Sequence, residues 1–158
     1  MVSRIKMYLH LREQHTDKSW DYRTIAHTDI DSVGALMLDS FRNTIDYEGE
    51  TLEDAVVEVG ATLEGKYGPF LEDCSYLIED KGQPISACIV VYSEEMSLPL
   101  IAYTMTHPCY AQRGMATFLL KKSLNALLAR KYKGAYLVVT EGNQARHLYE
   151  RIGFRMLE

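Results

Sequence analysis

Cysteine is scarce and odd in number: Cys74, Cys88 and Cys109 are the only three among 158 residues. Their wide spacing excludes the disulfide framework of a small secreted domain and offers no Cys or His pattern that would hold a metal. A reducing, cytoplasmic setting follows. Long hydrophobic runs are also missing. The opening "MVSRIKMYLHLRE" carries Arg4, Lys6 and Arg12 and has no apolar stretch long enough for a signal peptide or membrane span, so no membrane association is expected. Positive charge is in deficit, with 17 Lys and Arg against 22 Asp and Glu for a net charge of −5. That balance disfavours generic attachment to nucleic acid or to an anionic bilayer. No internal repeat and no low-complexity segment divides the chain, so a single domain over residues 1–158 is expected.

What is present is a core-forming chain, 47% hydrophobic and 25% charged, with its charges segregated. Asp46, Glu48, Glu50, Glu53, Asp54, Glu58 and Glu64 crowd one stretch. Arg113, Lys121, Lys122, Arg130, Lys131 and Lys133 crowd another that has no acid. One acidic and one basic surface are expected, each read first as a solvated face.

Residue periodicity alternates between strand and helix. "RIKMYLHL" repeats at period two with Ile5, Met7 and Leu9 on one face, and "WDYRTIA" reads as a second strand. In "HTDIDSVGALMLDSF", Thr28 and Asp31 have capping-box spacing ahead of a helix. "TLEDAVVEVGATLEGKYG" reads as another helix, weakened at Gly60 and ended by Gly68-Pro69. "CSYLIED" and "PISACIVVYS" flank the turn "KGQ" as an antiparallel hairpin, and "SLPLIAYTMTHP" follows as a third strand. A loop and a long helix ending at Gly134 lead to "AYLVVT", apolar enough for a strand covered on both faces and reached by a parallel crossover.

Two segments carry chemistry. After the strand "LIAYTMT", the loop "HPCYAQR" runs into "GMATFLL". A helix start of this kind presents unpaired N–H groups and a positive dipole end to a pyrophosphate. Gly114 permits close backbone approach, Ala116 keeps the first turn narrow, and Arg113 supplies a charge. In "GNQARHLYERIGF", helical spacing puts Ala145, Leu148, Tyr149 and Ile152 on the inward stripe, between an N-cap at Asn143 and a stop at Gly153. A tyrosine therefore faces the interior.

"THPCYAQRGMATFLL" followed by "TEGNQARHLYERIGF" resembles the GNAT acetyltransferase superfamily, over about residues 20–154. The resemblance implies a mixed α/β (α+β) fold: a mostly antiparallel central sheet with a splayed parallel strand pair and flanking helices. It implies acetyl-CoA as acyl-donor cosubstrate, no metal, and an amine-bearing acceptor, small molecule or protein. It also implies an acceptor pocket near the acidic stretch "RNTIDYEGETLED", whose carboxylates would attract a cationic amine such as a polyamine, an aminoglycoside or a lysine side chain, a solvated acidic face being the alternative. By the same resemblance, main-chain groups of Met105, Thr106 and His107 hold the pantetheine arm. Gln112, Arg113, Gly114, Met115, Ala116 and Thr117 hold the pyrophosphate, Asn143 contributes to cofactor binding, and Tyr149 protonates the departing thiolate.

Three departures from the family pattern stand out. Ala111 occupies a place that usually holds Arg or Gln, and the step from Asn143 to Tyr149 is one residue short. The family's strand hairpin after Gly-Phe is missing, while an extra strand, within residues 1–15, stands at the N-terminus to fill the vacant sheet position within the chain or across a homodimer. The strand "LPLIAYTMTHP" also lacks the carboxylate that often serves as base. Tyr103, Glu141, Glu79 and Asp80 remain as candidates, His107 reads as structural beside Pro108, and a non-catalytic acyl-CoA-binding or sensing module is the alternative reading. A doubly wound nucleotide-binding protein fits less well, because an antiparallel hairpin precedes the phosphate loop.

Overall fold

Alternation along the strand Gln83–Ser93 sorts the interior into two cores: Cys88 and Val90 enter one, Ala87 and Ile89 the other. The computed structural model describes residues 3–157. In chain order its elements are β1 (Arg4–His10), β2 (Arg23–Thr24), α1 (Ile30–Phe41), α2 (Leu52–Leu63), β3 (Tyr76–Asp80), β4 (Gln83–Ser93), β5 (Leu98–Thr106), α3 (Met115–Ala129), β6 (Gly134–Thr140), α4 (Ala145–Ile152) and β7 (Arg155–Met156). The sheet runs β2-β3-β4-β5-β6-β1-β7, and every neighbouring pair is antiparallel except β5 with β6. Helices α1 and α2 pack with Ala87, Ile89 and Met105 on one face; α3 and α4 pack with Met7, Leu137 and Val139 on the other.

The N-terminal strand fills its sheet position within the chain. β1 pairs with β6 from Arg4↔Thr140 to His10↔Gly134, and the short β7 pairs with its outer side at Met7 and Tyr8. Met7 and Leu9 are buried, each contributing roughly 2–3 kcal/mol of hydrophobic burial. From β1 the segment 11–22 crosses over α3 to reach the opposite sheet edge. Gln14 N–H donates to Asn125 Oδ1 at 2.8 Å and Asn125 Nδ2 donates to the Gln14 carbonyl at 3.0 Å. Lys121 Nζ donates to the His15 carbonyl, and Trp20 meets Phe118 edge-on at 5.4 Å.

Four local features differ from expectation. "WDYRTIA" pairs only at Arg23–Thr24. The capping spacing of Thr28 and Asp31 is not used; Asp29 instead accepts from Ala26 N–H at 2.8 Å and from the Arg23 guanidinium six residues upstream, so the local cap forms at Ala26 and Asp29. α2 ends at Leu63 rather than at Gly68-Pro69, with Gly60 inside it, because Gly65 at φ +105° already turns the chain. Finally, β6 is not covered on both faces: Val138 is 40% exposed and lines a cavity.

Candidate active site

That cavity exists because β5 and β6 separate. Their parallel pairing rests on one register pair, Leu100↔Tyr136. In the β4–β5 ladder, Ile89 pairs with Tyr103 and Val90 with Ile101, which leaves Ala102 as an extra residue on β5. A bulge of this kind bends its strand, here just beyond the last contact with β6. The opening is walled by Ala102, Tyr103 and Thr104 on one side and by Val138, Val139 and Thr140 on the other, and it widens into a cavity of about 750 Å³ under α1 and α2.

Tyr149 lies at the floor of this opening. α4 is started by Asn143, whose Oδ1 accepts from Ala145 N–H at 2.9 Å, and is stopped at Gly153, where Gly153 and Phe154 N–H both donate to the Tyr149 carbonyl. The fixed ends present Tyr149 and Ile152 inward, against fully buried Phe154. The phenol is 2.7 Å from Thr104 Oγ1. Burial, outweighing that hydrogen bond, pushes the Tyr149 phenol above its ordinary value, and the nearby charge of Asp46 adds to the shift. A phenol so held keeps its proton until a stronger base forms beside it.

At the far end of β5 the chain turns into a helix start that could receive an anion. Gln112 at φ +63° and Gly114 at φ +95° are both left-handed, a conformation that costs a non-glycine residue about 1 kcal/mol or more. The first intrahelical bond of α3 runs from Phe118 N–H to the Gly114 carbonyl, so the amides of Met115, Ala116 and Thr117 point out of the helix end. Arg113 stacks over Tyr110 at 5.1 Å. Lys18, brought in by the crossing segment 11–22, donates to the Arg113 carbonyl at 3.2 Å. Exposed backbone donors, a dipole end and two flanking cations fit a pyrophosphate group.

The cavity's other wall is acidic. Asp46, on the α1–α2 connection, accepts from Thr140 Oγ1 at 2.6 Å and from Asn143 Nδ2 at 2.8 Å. Glu58, on α2, accepts from Tyr103 at 2.5 Å, Tyr67 at 2.6 Å and Lys66 at 2.9 Å. Burial by itself pushes the Glu58 carboxyl up, but those three donors prevail and hold it below its ordinary value. Its partner Tyr103 is driven far up, first by burial and then by the carboxylate it serves. Glu50 and Asp54 line the exposed mouth.

Of the anticipated residues, the structure brings Tyr149 and Asn143 to the cavity and gathers Gln112, Arg113, Gly114, Met115, Ala116 and Thr117 at the start of α3. Around Met105, Thr106 and His107 the backbone is largely engaged. His107 N–H donates to the Ile85 carbonyl at 2.8 Å, the Met105 carbonyl accepts from Ser86 Oγ at 3.0 Å, and Thr106 N–H meets Ser40 Oγ at 3.3 Å. The His107 ring caps Cys109 N–H at 3.1 Å. Among the candidate bases, Tyr103 lines the cavity, whereas Glu79 pairs with Arg23, Asp80 receives the Tyr110 hydroxyl and Glu141 is exposed outside it. Sequence reasoning missed Lys18, and it pointed to the acidic stretch that contains Asp46 without singling that residue out. Glu58 left its own signal, three residues beyond buried Ala55 on the inward flank of α2.

Among the described residues, no group of three or more His, Cys, Asp or Glu side chains is arranged to hold a metal ion, and no helix is long and apolar enough to cross a membrane. The profile of the acetyltransferase (GNAT) domain family matches residues 72–156, just over half of the chain. No curated protein sequence matches. Among solved structures, the chain is similar to a GCN5-related N-acetyltransferase from Sphaerobacter thermophilus, with a TM-score of 0.73 at 18% identity over 99% of this chain and 49% of that one. It thus spans about half the length of that protein. It is similar to the ribosomal-protein-S18-alanine N-acetyltransferase of Escherichia coli, TM-score 0.67, 16% identity, over 87% of this chain and 79% of that one. It is likewise similar to the PaiA N-acetyltransferase of Thermoplasma acidophilum in complex with coenzyme A, TM-score 0.67, 14% identity, over 87% and 91%. At these identities the likeness is one of fold.

Proposed function

This chain belongs to the GNAT acetyltransferase family, and from that premise we propose that it is an N-acetyltransferase domain that moves an acetyl group from acetyl-CoA to an amine. The observation that carries the reading is a buried phenol facing a gap between two parallel strands. Tyr149 sits at the floor of the opening that the bulge at Ala102 creates, with Thr104 2.7 Å away. Acetyl-CoA supplies an acetyl group activated as a thioester. The amides of Met115, Ala116 and Thr117, with Arg113 and Lys18, would hold its pyrophosphate, and the apolar flanks of β5 and β6 would receive its arm.

Tyr149 then serves as the proton donor to the departing sulfur. A free phenol, at about 10, is a weaker acid than a thiol near 8.5, so in water the transfer runs slightly uphill. In a buried site the thiolate is disfavoured as well as the phenolate, so burial raises both acids and offsets the rise of Tyr149 without reversing their order. An alkylamine near 10.4 must shed a proton before it attacks. Neither member of the Glu58–Tyr103 pair is suited to accept that proton, because Glu58 is held as an anion by three donors and Tyr103 is held neutral.

Isothermal titration with acetyl-CoA, CoA and ATP tests the reading. Binding selective for the two CoA compounds, followed by thiol release in the presence of amines, is expected. Absence of CoA binding would overturn it.

A further inference from the structure

The cavity contains a half-buried carboxylate whose charge is not answered. Glu58 is paired with Lys66, and Glu50 and Asp54 lie at the exposed mouth, where Asp54 caps α2 through Thr51. Asp46 is different. Among the described residues it forms no ion pair, and its two hydrogen bonds come from the neutral donors Thr140 Oγ1 and Asn143 Nδ2, one on each oxygen. A carboxylate offers about four lone-pair positions, so each oxygen retains one. Both donors belong to the stretch that carries β6 into α4, the stretch that also positions Tyr149. The α1–α2 connection is therefore latched so that an anion stands in the cavity close to the reacting end. Among the described residues that line the cavity, Arg4 is the one Lys or Arg.

The chemistry narrows what Asp46 can hold. An ammonium bound there is stabilised in its protonated, non-nucleophilic form, so the nitrogen it binds is not the one that attacks. We propose that Asp46 is the specificity-determining residue for an acceptor with two amines: it holds a second, charged ammonium while the first, deprotonated amine meets the thioester beside Tyr149. The inference rests on the acetyl-transfer reading above. In the step, the N–C bond forms and the C–S bond breaks. The sulfur takes the phenolic proton of Tyr149, and the proton shed by the acylated nitrogen restores the phenol. The ammonium on Asp46 keeps its protons throughout, so its contribution is binding, seen in KM rather than in kcat.

The test compares 1,4-diaminobutane with 1-aminobutane as acceptors for the whole chain and for Asp46→Asn, with thiol release as readout. The wild type should favour the diamine by about tenfold in kcat/KM, the worth of one partly buried charge pair. Asp46→Asn should erase that preference, raising KM for the diamine by about tenfold more than whatever change it makes for the monoamine. Asp46→Glu, which keeps the charge, should retain the preference. A wild type that does not discriminate, an Asn variant that loses both amines equally, or one that still prefers the diamine overturns the proposal. Titration of the two amines in the absence of acetyl-CoA reads the same anchor without turnover. Failure to bind acetyl-CoA, with diamine preference intact, would therefore count against the acetyl-transfer reading and not against the anchor.

Discussion

The hydroxyls of Tyr149 and Thr104 lie 2.7 Å apart, joining α4 to β5 across the gap that β5 and β6 leave open. Substituting Tyr149→Phe removes the proton donor without removing the ring that packs on Phe154. The acyl-transfer rate should fall by about 10²-fold or more, within the range of a lost general acid, while acetyl-CoA affinity stays nearly intact. Thr104→Val, which only frees the phenol, should cost less, about tenfold or below. Single-turnover thiol release beside titration separates the two quantities. Parallel loss of rate and affinity in Tyr149→Phe would argue that the tyrosine is a packing residue.

Gly114 should be intolerant of side chains for a backbone reason. A Cβ there meets Trp20 at 3.6 Å and Lys18 at 3.8 Å, ordinary contacts, but its φ of +95° is strained for any β-branched residue. Gly114→Val is expected to cost about 1–3 kcal/mol of stability and to tilt the amides of Met115, Ala116 and Thr117 away from a phosphate. Loss of acetyl-CoA binding at a temperature where melting shows the variant folded is the expected result. Undiminished binding would place the phosphate site elsewhere.

Lys18 gives a charge test at the same loop. It is exposed, so its effect should be modest and salt-dependent: Lys18→Ala should weaken acetyl-CoA binding a few-fold at low salt and less at high salt. A pantetheine thioester that lacks the phosphates should bind the two proteins alike. Equal weakening of both ligands would mean that the substitution acts through the crossing segment and not through charge.

What could be read from the sequence was local, and what could not was distant. The phosphate-ready start of α3 and the inward Tyr149 are set by spacing within a dozen residues, and both occur where the periodicity places them. The place of β1 rested on the family resemblance, which left a sheet position for it to fill within the chain or across a dimer, and β1 pairs with β6 within the chain. The gap between β5 and β6 was expected only through the family resemblance; the residues themselves do not signal it, because it depends on an unpaired Ala102 in a run that reads as regular strand. Asp46 and Asn143 meet across 97 residues, and Glu58 and Tyr103 across 45, pairings that no periodicity encodes. Lys18 reaches its place only because segment 11–22 has to cross α3.

The approach to α1 gives the sharpest stability test. Buried Asp29 takes the Arg23 guanidinium on both oxygens at 2.8 Å and the Ala26 N–H at 2.8 Å, whereas Thr28, at the expected capping position, is exposed. The Arg23 hydrogen bonds, prevailing over burial, hold the Asp29 carboxyl below its ordinary value. A depressed carboxyl stabilises the fold at pH above its unfolded value of about 3.9, and that contribution fades as pH falls through the folded value. Asp29→Asn should therefore cost about 2 kcal/mol at pH 7, a figure kept low because Arg23 stays partly in water, and the gap to wild type should narrow below about pH 4. Thr28→Ala should stay within about 0.5 kcal/mol at either pH. Urea midpoints at about pH 7 and about pH 3, on either side of that unfolded value, measure both variants. A gap for Asp29→Asn that is the same at the two pH values would mean that the aspartate acts by shape and backbone bonding alone, without its charge.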